Sequence, residues 1–246
     1  SEPIWEALEA LGIPVLVFVN KIDRMGSDAL GICAEVQRVF SLDAVLVNGV
    51  ENEGGDEAVV AELTPKQYGE LTEQVAEQDD ALLERYLEGE ALEREVVEAG
   101  LAQATRARRL FPVLCGAAKN RVGIEALLDA IVDYLPAANT DCERPVSGVV
   151  FRIDHDERLG RVAGVRLYAG RLQTRDVVVN YTAGREEKVA QIKRSATNKY
   201  EDSRVLAAGD IGFLCGMPEV QVGDILGDPG PVPGDYALGE PLLSVQ

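Results

Sequence analysis

Residues 13–19 read Ile-Pro-Val-Leu-Val-Phe-Val, an unbroken apolar run rich in Val. A strand with one wet face alternates apolar and polar side chains, whereas a strand covered on both faces has no need to. The run therefore predicts a strand buried on both sides, and such strands belong to parallel sheets with helices on each face. Trp5–Leu11, just before it, carries apolar residues at helical spacing and ends at Gly12, as a helix feeding such a layer should.

The same style continues to about residue 140. A helix is predicted over 28–40 with Leu30, Ala34, Val36, Val39 and Phe40 on its apolar side, then a short strand at Val45–Val47 and an acidic, glycine-containing loop at Glu51–Asp56. From Tyr68 the chain reads as helix, with a stripe of Leu82, Leu83, Tyr86 and Leu87, up to a break at Gly89-Glu90. Another helix runs from Ala91 to about Arg109, its last turn holding Arg106, Arg108 and Arg109, where cations suit the helix dipole. Phe111–Cys115 reads as a second buried strand, and Gly123–Leu135 as an amphipathic helix stopped by Pro136. Past a polar linker at 136–145 the pattern changes to short β-rich segments near 146–153, 161–169, 176–181, 186–195 and 210–216, with glycines at the turns. Five or more such strands favour a small closed barrel.

Charge separates the same two regions. The formal net charge is −18, with 42 acidic against 24 basic residues; residues 1–140 contribute −15 and 141–246 only −3. A chain this acidic is repelled by a phosphate backbone, so any nucleic-acid contact must be local. No apolar run approaches the roughly 18 residues of a membrane span. Cys33, Cys115, Cys142 and Cys215 are far apart and there is one histidine, His155, which argues against a zinc site or a disulfide framework and for reduced thiols in the cytoplasm. His155, between Asp154 and Asp156, reads as a surface-loop residue without a catalytic role.

The strongest chemical signal is Asn20-Lys21-Ile22-Asp23 at the carboxyl end of the first apolar strand, the end at which open α/β sheets bind ligands. A carboxylate there accepts from the ring N–H and exocyclic amine of guanine, a donor pair that adenine does not present. Asp23 is the expected guanine reader. The Asn20 amide either bonds the other side of the base or pins the neighbouring loops, and the Lys21 stem lies along the base face. Directly after the second strand comes Gly116-Ala117-Ala118-Lys119, small residues that let backbone approach a base closely, with the Ala118 N–H aimed at the guanine carbonyl.

These motifs, with Gly116–Asn120 and the run Leu127–Pro136, resemble the last third of the G domain of translational GTPases of the elongation factor G group. Asp79–Gly89 resembles that group's helical insert. From Val146 on, VSGVVFRI, GVRLYAGRLQTRD and AAGDIGFL are similar to its β-barrel second domain. Within the group the wording most resembles the tetracycline-resistance ribosomal protection proteins, with elongation factor G as the near alternative. The resemblance implies an α/β partial G domain, its N-terminal strands missing, over 1–140, an all-β barrel over 141–240, and the start of a further domain at 241–246. It implies GTP or GDP as ligand, held by Asn20, Lys21, Asp23, Ala117, Ala118 and Lys119. Ala117 stands where the family often has Ser, which removes a hydroxyl that steadies the loop.

The phosphate loop GxxxxGK followed by Ser or Thr, the switch Thr and the DxxG segment with its catalytic His are not in this sequence. The resemblance puts them, and the Mg2+ ligands, upstream of Ser1, so this segment alone is expected not to hydrolyse GTP. The strands that flank residues 13–19 in the family also lie upstream. The open edge is therefore expected to be covered by a second copy, a swapped partner or a rearranged segment. The ribosome is the implied partner, through stalk proteins at the acidic helices and small-subunit rRNA at the barrel, with no membrane. Arg161, Arg166, Arg171, Arg175, Arg185, Lys188, Lys193 and Arg194 either meet rRNA phosphates or are solvated strand residues. A docking module without a nucleotide role is the alternative from another class.

Overall fold

The computed structural model describes residues 2–138, 140–156, 159–196 and 199–234. They form two compact units that divide between Ala137 and Ala138. The fold is mixed α/β, with a small parallel sheet in the first unit and a large antiparallel sheet in the second. Among the described residues no helix is long and apolar enough to cross a membrane.

The first unit runs α1 (Glu2–Ala10), β1 (Val17–Asn20), α2 (Ala29–Val39), β2 (Ala44–Leu46), β3 (Gly49–Glu51), β4 (Val59–Ala61), α3 (Pro65–Ala76), α4 (Asp80–Leu87), α5 (Arg94–Arg106), β5 (Phe111–Gly116) and α6 (Ile124–Tyr134). Its parallel sheet has the order β1-β5-β2, with Asn20 opposite Gly116 and Ala44 opposite Phe111. β5 is central and nearly all buried, as its apolar sequence requires. The run at 13–19 is less covered than predicted: regular pairing spans Val17–Asn20, Val17 to Val19 are half-buried and Asn20 is exposed, and Ile13 is 41% exposed. Among the described residues β1 pairs with β5 alone.

Helix boundaries follow their caps. Asp28 caps α2 by accepting from Gly31 N at 2.9 Å. Thr64 and Gln67 form a capping box ahead of Pro65, so α3 begins three residues before the predicted start. Asp79 accepts from Ala81 N and Leu82 N and opens α4, which splits the helix expected to run unbroken to Gly89. The buried face of α2 is Ala29, Cys33 and Val36, at i, i+4 and i+7, and Leu30 is 57% exposed. That corrects part of the predicted face: Val36 and Phe40 do pack inward, but Leu30 and Ala34 are exposed and the small side chains of Ala29 and Cys33 let this helix lie close on the sheet. The apolar side of α6 is also more open than expected, with Leu128, Ile131 and Val132 exposed.

Three arginines predicted to serve the dipole of their own helix do something else. Arg106 donates to Asp133 O at the end of α6, Arg108 to Glu9 O at the end of α1, and Arg109 to Gln78 O just past α3. Each meets a backbone carbonyl at or just past a helix end, that of Glu9 being shared with Gly12 N.

The second unit is β6 (Ser147–Asp156), β7 (Gly160–Ala169), β8 (Arg171–Gln173), β9 (Val177–Asn180), β10 (Arg185–Lys188), β11 (Gln191–Ala196), β12 (Lys199–Ser203), β13 (Val205–Ala207), β14 (Ile211–Cys215) and β15 (Ile225–Gly227). Eight strands form a sheet ordered β10-β9-β15-β6-β7-β14-β11-β12, and β13 pairs with β8. Val150, Val165, Leu167, Leu206, Leu214 and Leu226 belong to one buried cluster. The single strand predicted at 186–195 is two, because the chain changes partner: β10 lies on β9, whereas β11 lies between β14 and β12. Between them Val189 N donates to Asp176 O and Ala190 N to Cys215 O.

Candidate functional site at the parallel strand ends

Because β1 and β5 are parallel neighbours in register, Asn20 and Gly116 end their strands side by side. Two loops, 20–28 and 116–123, leave the sheet there together. A Cβ on Gly116 would come within 2.5 Å of Val122 O and 2.7 Å of the Phe18 ring, so only glycine fits. Ala117 is buried, and its N–H and carbonyl exchange hydrogen bonds with Val122 at 3.0 and 3.1 Å, which closes the second loop on itself. A 3₁₀ turn over Ala118–Asn120 then leaves Ala118 and Lys119 exposed.

The first loop is anchored by Ile22, which is almost fully buried and donates its N–H to Gly116 O at 3.2 Å. Lys21 sits at φ +74°, a left-handed conformation that costs a non-glycine residue about 1–2 kcal/mol. Such outliers persist where surrounding contacts determine them, and Ile22 on one side and Asn20 on the other supply those contacts. The acidic loop closes the far side: Gly54 N donates to Ile22 O, and Glu53 Oε1 accepts from Ala29 N at the start of α2.

Asn20 Oδ1 accepts from Lys21 N at 2.9 Å and from Ala118 N at 3.0 Å. Asn20 therefore pins the two loops, one of the two roles the sequence left open for it. The Ala118 N–H, expected to face a base carbonyl, is engaged with Asn20, so a base oxygen reaching it would share or displace that bond. Asp23 is half-buried, and its Oδ2 accepts from Asn120 Nδ2 at 3.1 Å. Asn20, Asp23 and Ala118 are thus drawn together, with Ala117 beneath them and Lys21 and Lys119 exposed at the rim.

Two positioning residues were given no role by the sequence. Asn120, the last residue of the Gly116–Asn120 motif, is one. The other is Asn48, just beyond β2, whose side chain is buried: its Nδ2 donates to Cys115 O at 3.0 Å and its Oδ1 accepts from Cys115 N at 2.8 Å. Asn48 substitutes for a strand neighbour on the last turn of the ladder before Gly116. Burial, then the nearby Cys33 and Glu53, push the Cys115 thiol up to about 12. It is a packing residue, not a nucleophile.

Among the described residues no group of three or more His, Cys, Asp and Glu is placed to hold a metal ion. His155 is exposed on β6. Of the eight cations singled out for rRNA phosphates, six are held by the protein's own groups: Arg161 and Arg166 by the carbonyls of Val220 and Gly209, Arg171 by Glu143, Arg185 by Glu187 and Glu219, Lys193 by Asp202, and Arg194 by Asp210.

The geometry has counterparts. The sequence model of the elongation factor Tu GTP-binding domain matches residues 1–137, and that of elongation factor G domain 2 matches residues 145–228. The tetracycline resistance protein TetP of Clostridium perfringens is 33% identical over 242 residues, which are 98% of this chain and 37% of TetP. In fold, the crystal structure of ttk003000868 from Thermus thermophilus is similar with a TM-score of 0.76 at 24% identity, over 96% of this chain and 40% of that one. The chain spans well under half the length of both. Since the first of these matches covers more than half of the sequence and includes both strand-end loops, the chain belongs to the elongation factor Tu GTP-binding domain family.

Proposed function

We propose that the paired strand-end loops read the base of GTP or GDP within a ribosome-associated translational GTPase, and that this protein protects the ribosome against tetracycline. The observation that carries the reading is the pair of bonds across the loops, Asn20 Oδ1 to Ala118 N and Asp23 Oδ2 to Asn120 Nδ2. They hold a carboxylate and a backbone donor in facing loops at the ligand end of a parallel sheet. Asp23 accepts from the two guanine donors, using the lone pairs that Asn120 leaves. The Lys21 stem covers the base face, and Ala117 and Lys119 complete the wall. A site of this kind rejects a base that lacks the right hydrogens because its own polar groups are left unpaired.

In this reading the first 140 residues are part of a G domain, 141–240 the translation-factor barrel and 241–246 the start of another domain. Mg2+ accompanies the phosphates in the whole protein. The ribosome is the partner, with the acidic helices facing stalk proteins and the second unit facing small-subunit rRNA, and the unpaired edge of β1 is where the isolated chain dimerises. The similarity to TetP favours protection over an elongation factor G-like translocation role.

The test is Asp23→Asn in the full-length protein. An amide offers a donor where the carboxylate accepted, so nucleotide preference shifts from guanine toward xanthine, by about a hundredfold or more in the ratio of the two dissociation constants. Unchanged preference for GTP over XTP defeats the assignment.

A further inference from the structure

Within the first unit, Val47 and Asn48 after β2, β4, α3, α5 and α6 line a cleft of about 800 Å3, within the range of small-molecule sites. It shares no residue with the strand-end loops. Its wall is mainly apolar, built from Val60, Leu71, Leu92, Val97 and Leu101, with Ala126 of α6 also lining it. Such a wall offers an organic ligand area to bury but gives no orientation. Orientation would come from three polar features.

The hydroxyl of Tyr68, which lines the cleft, is buried and has no hydrogen-bond partner among the described residues. Buried polar atoms are nearly always paired, so an orphan on a cavity wall points to a missing partner. At the rim, Arg94 is gripped by two carboxylates, Glu62 at 3.0 Å and Glu98 at 2.9 Å. One guanidinium cannot neutralise both, and no other Lys, Arg, Asp or Glu lines the cleft. The opening is therefore net negative and repels organic anions.

We propose that this cleft binds a hydrophobic organic cation of drug-like size, with its apolar body against Leu71, Val97 and Leu101, its ammonium group beside Glu62 and Glu98, and an acceptor atom on the Tyr68 hydroxyl. The assignment is independent of the nucleotide reading.

The experiment titrates residues 1–246 with two fluorescent probes of similar size, cationic dansylcadaverine and anionic anilinonaphthalene sulfonate, at physiological salt. The expected result is a blue-shifted, saturable signal for the cation, with affinity about tenfold or more above that for the anion. The chain's overall charge of −18 would attract a cation anywhere, so the deciding variant is Ala126→Trp. It fills the cleft from a half-buried helix position without changing charge, and it should cut the cation's affinity at least tenfold. Glu62→Lys, at an exposed position, should reverse the preference between the probes. Tyr68→Phe should weaken the cation several-fold. No saturable signal, undiminished binding to Ala126→Trp, or a probe preference that Glu62→Lys leaves unchanged would each overturn the proposal.

Discussion

Replacing Asn48 by Leu is the sharpest test of how the strand-end loops are held. The side chain is nearly isosteric, so packing volume is kept while both hydrogen bonds to Cys115 disappear. Cys115 is wholly buried, so its N–H and its carbonyl both lose their partner in the folded chain. Each orphaned backbone group costs roughly 1–3 kcal/mol, so the pair should cost about 2–6 kcal/mol. Trp5 is the only tryptophan and packs on Phe40 and Phe111, with ring centroids 5.2 and 4.8 Å apart. Its fluorescence therefore reports on the parallel sheet and not on the antiparallel unit. In urea unfolding followed by Trp5, the Asn48→Leu midpoint should fall at unchanged m-value. A loss under about 1 kcal/mol would mean that Cys115 finds other partners, and would refute the view that Asn48 stands in for a strand.

Two further outcomes follow from burial and charge. Cys33, Cys115 and Cys215 are buried, and burial raises their thiol pKa values, whereas Cys142 is half-exposed; native alkylation followed by mass spectrometry should label Cys142 at least about tenfold faster than the other three. Arg85 lowers the pKa of Glu90 through a direct hydrogen bond. A lowered folded-state value means a contribution that is complete above the unfolded value of about 4.3 and lost as pH falls through the folded one. The small stability difference between wild type and Glu90→Gln should accordingly be present at neutral pH and vanish in acid, and a difference that grows on acidification would contradict this.

Much of the parallel layer was legible because it is written locally. A valine-rich run followed by Asn-Lys-Ile-Asp announces a strand and its ligand end within eleven residues. The failures share a different cause. The face of α2 was misjudged because apolar residues nearly encircle that helix, and close approach to a sheet selects Ala29 and Cys33 over the larger Leu30. β8 and β13, three residues each, are too short to show a period of two. Asn48 was invisible as a positioning residue because its partner lies 67 residues away and no motif surrounds it, whereas Asn120 sits inside the Gly116–Asn120 motif and only its bond to Asp23, 97 residues away, went unread.

The arginines at 106, 108 and 109 reach the tail ends of three helices that are separate in sequence. A stretch of four residues thereby makes the fraying of α1, α3 and α6 a shared event instead of three private ones. Hydrogen exchange at those termini should rise and fall in concert, and damage to this tract would be felt as a loss of cooperativity across the whole α/β unit.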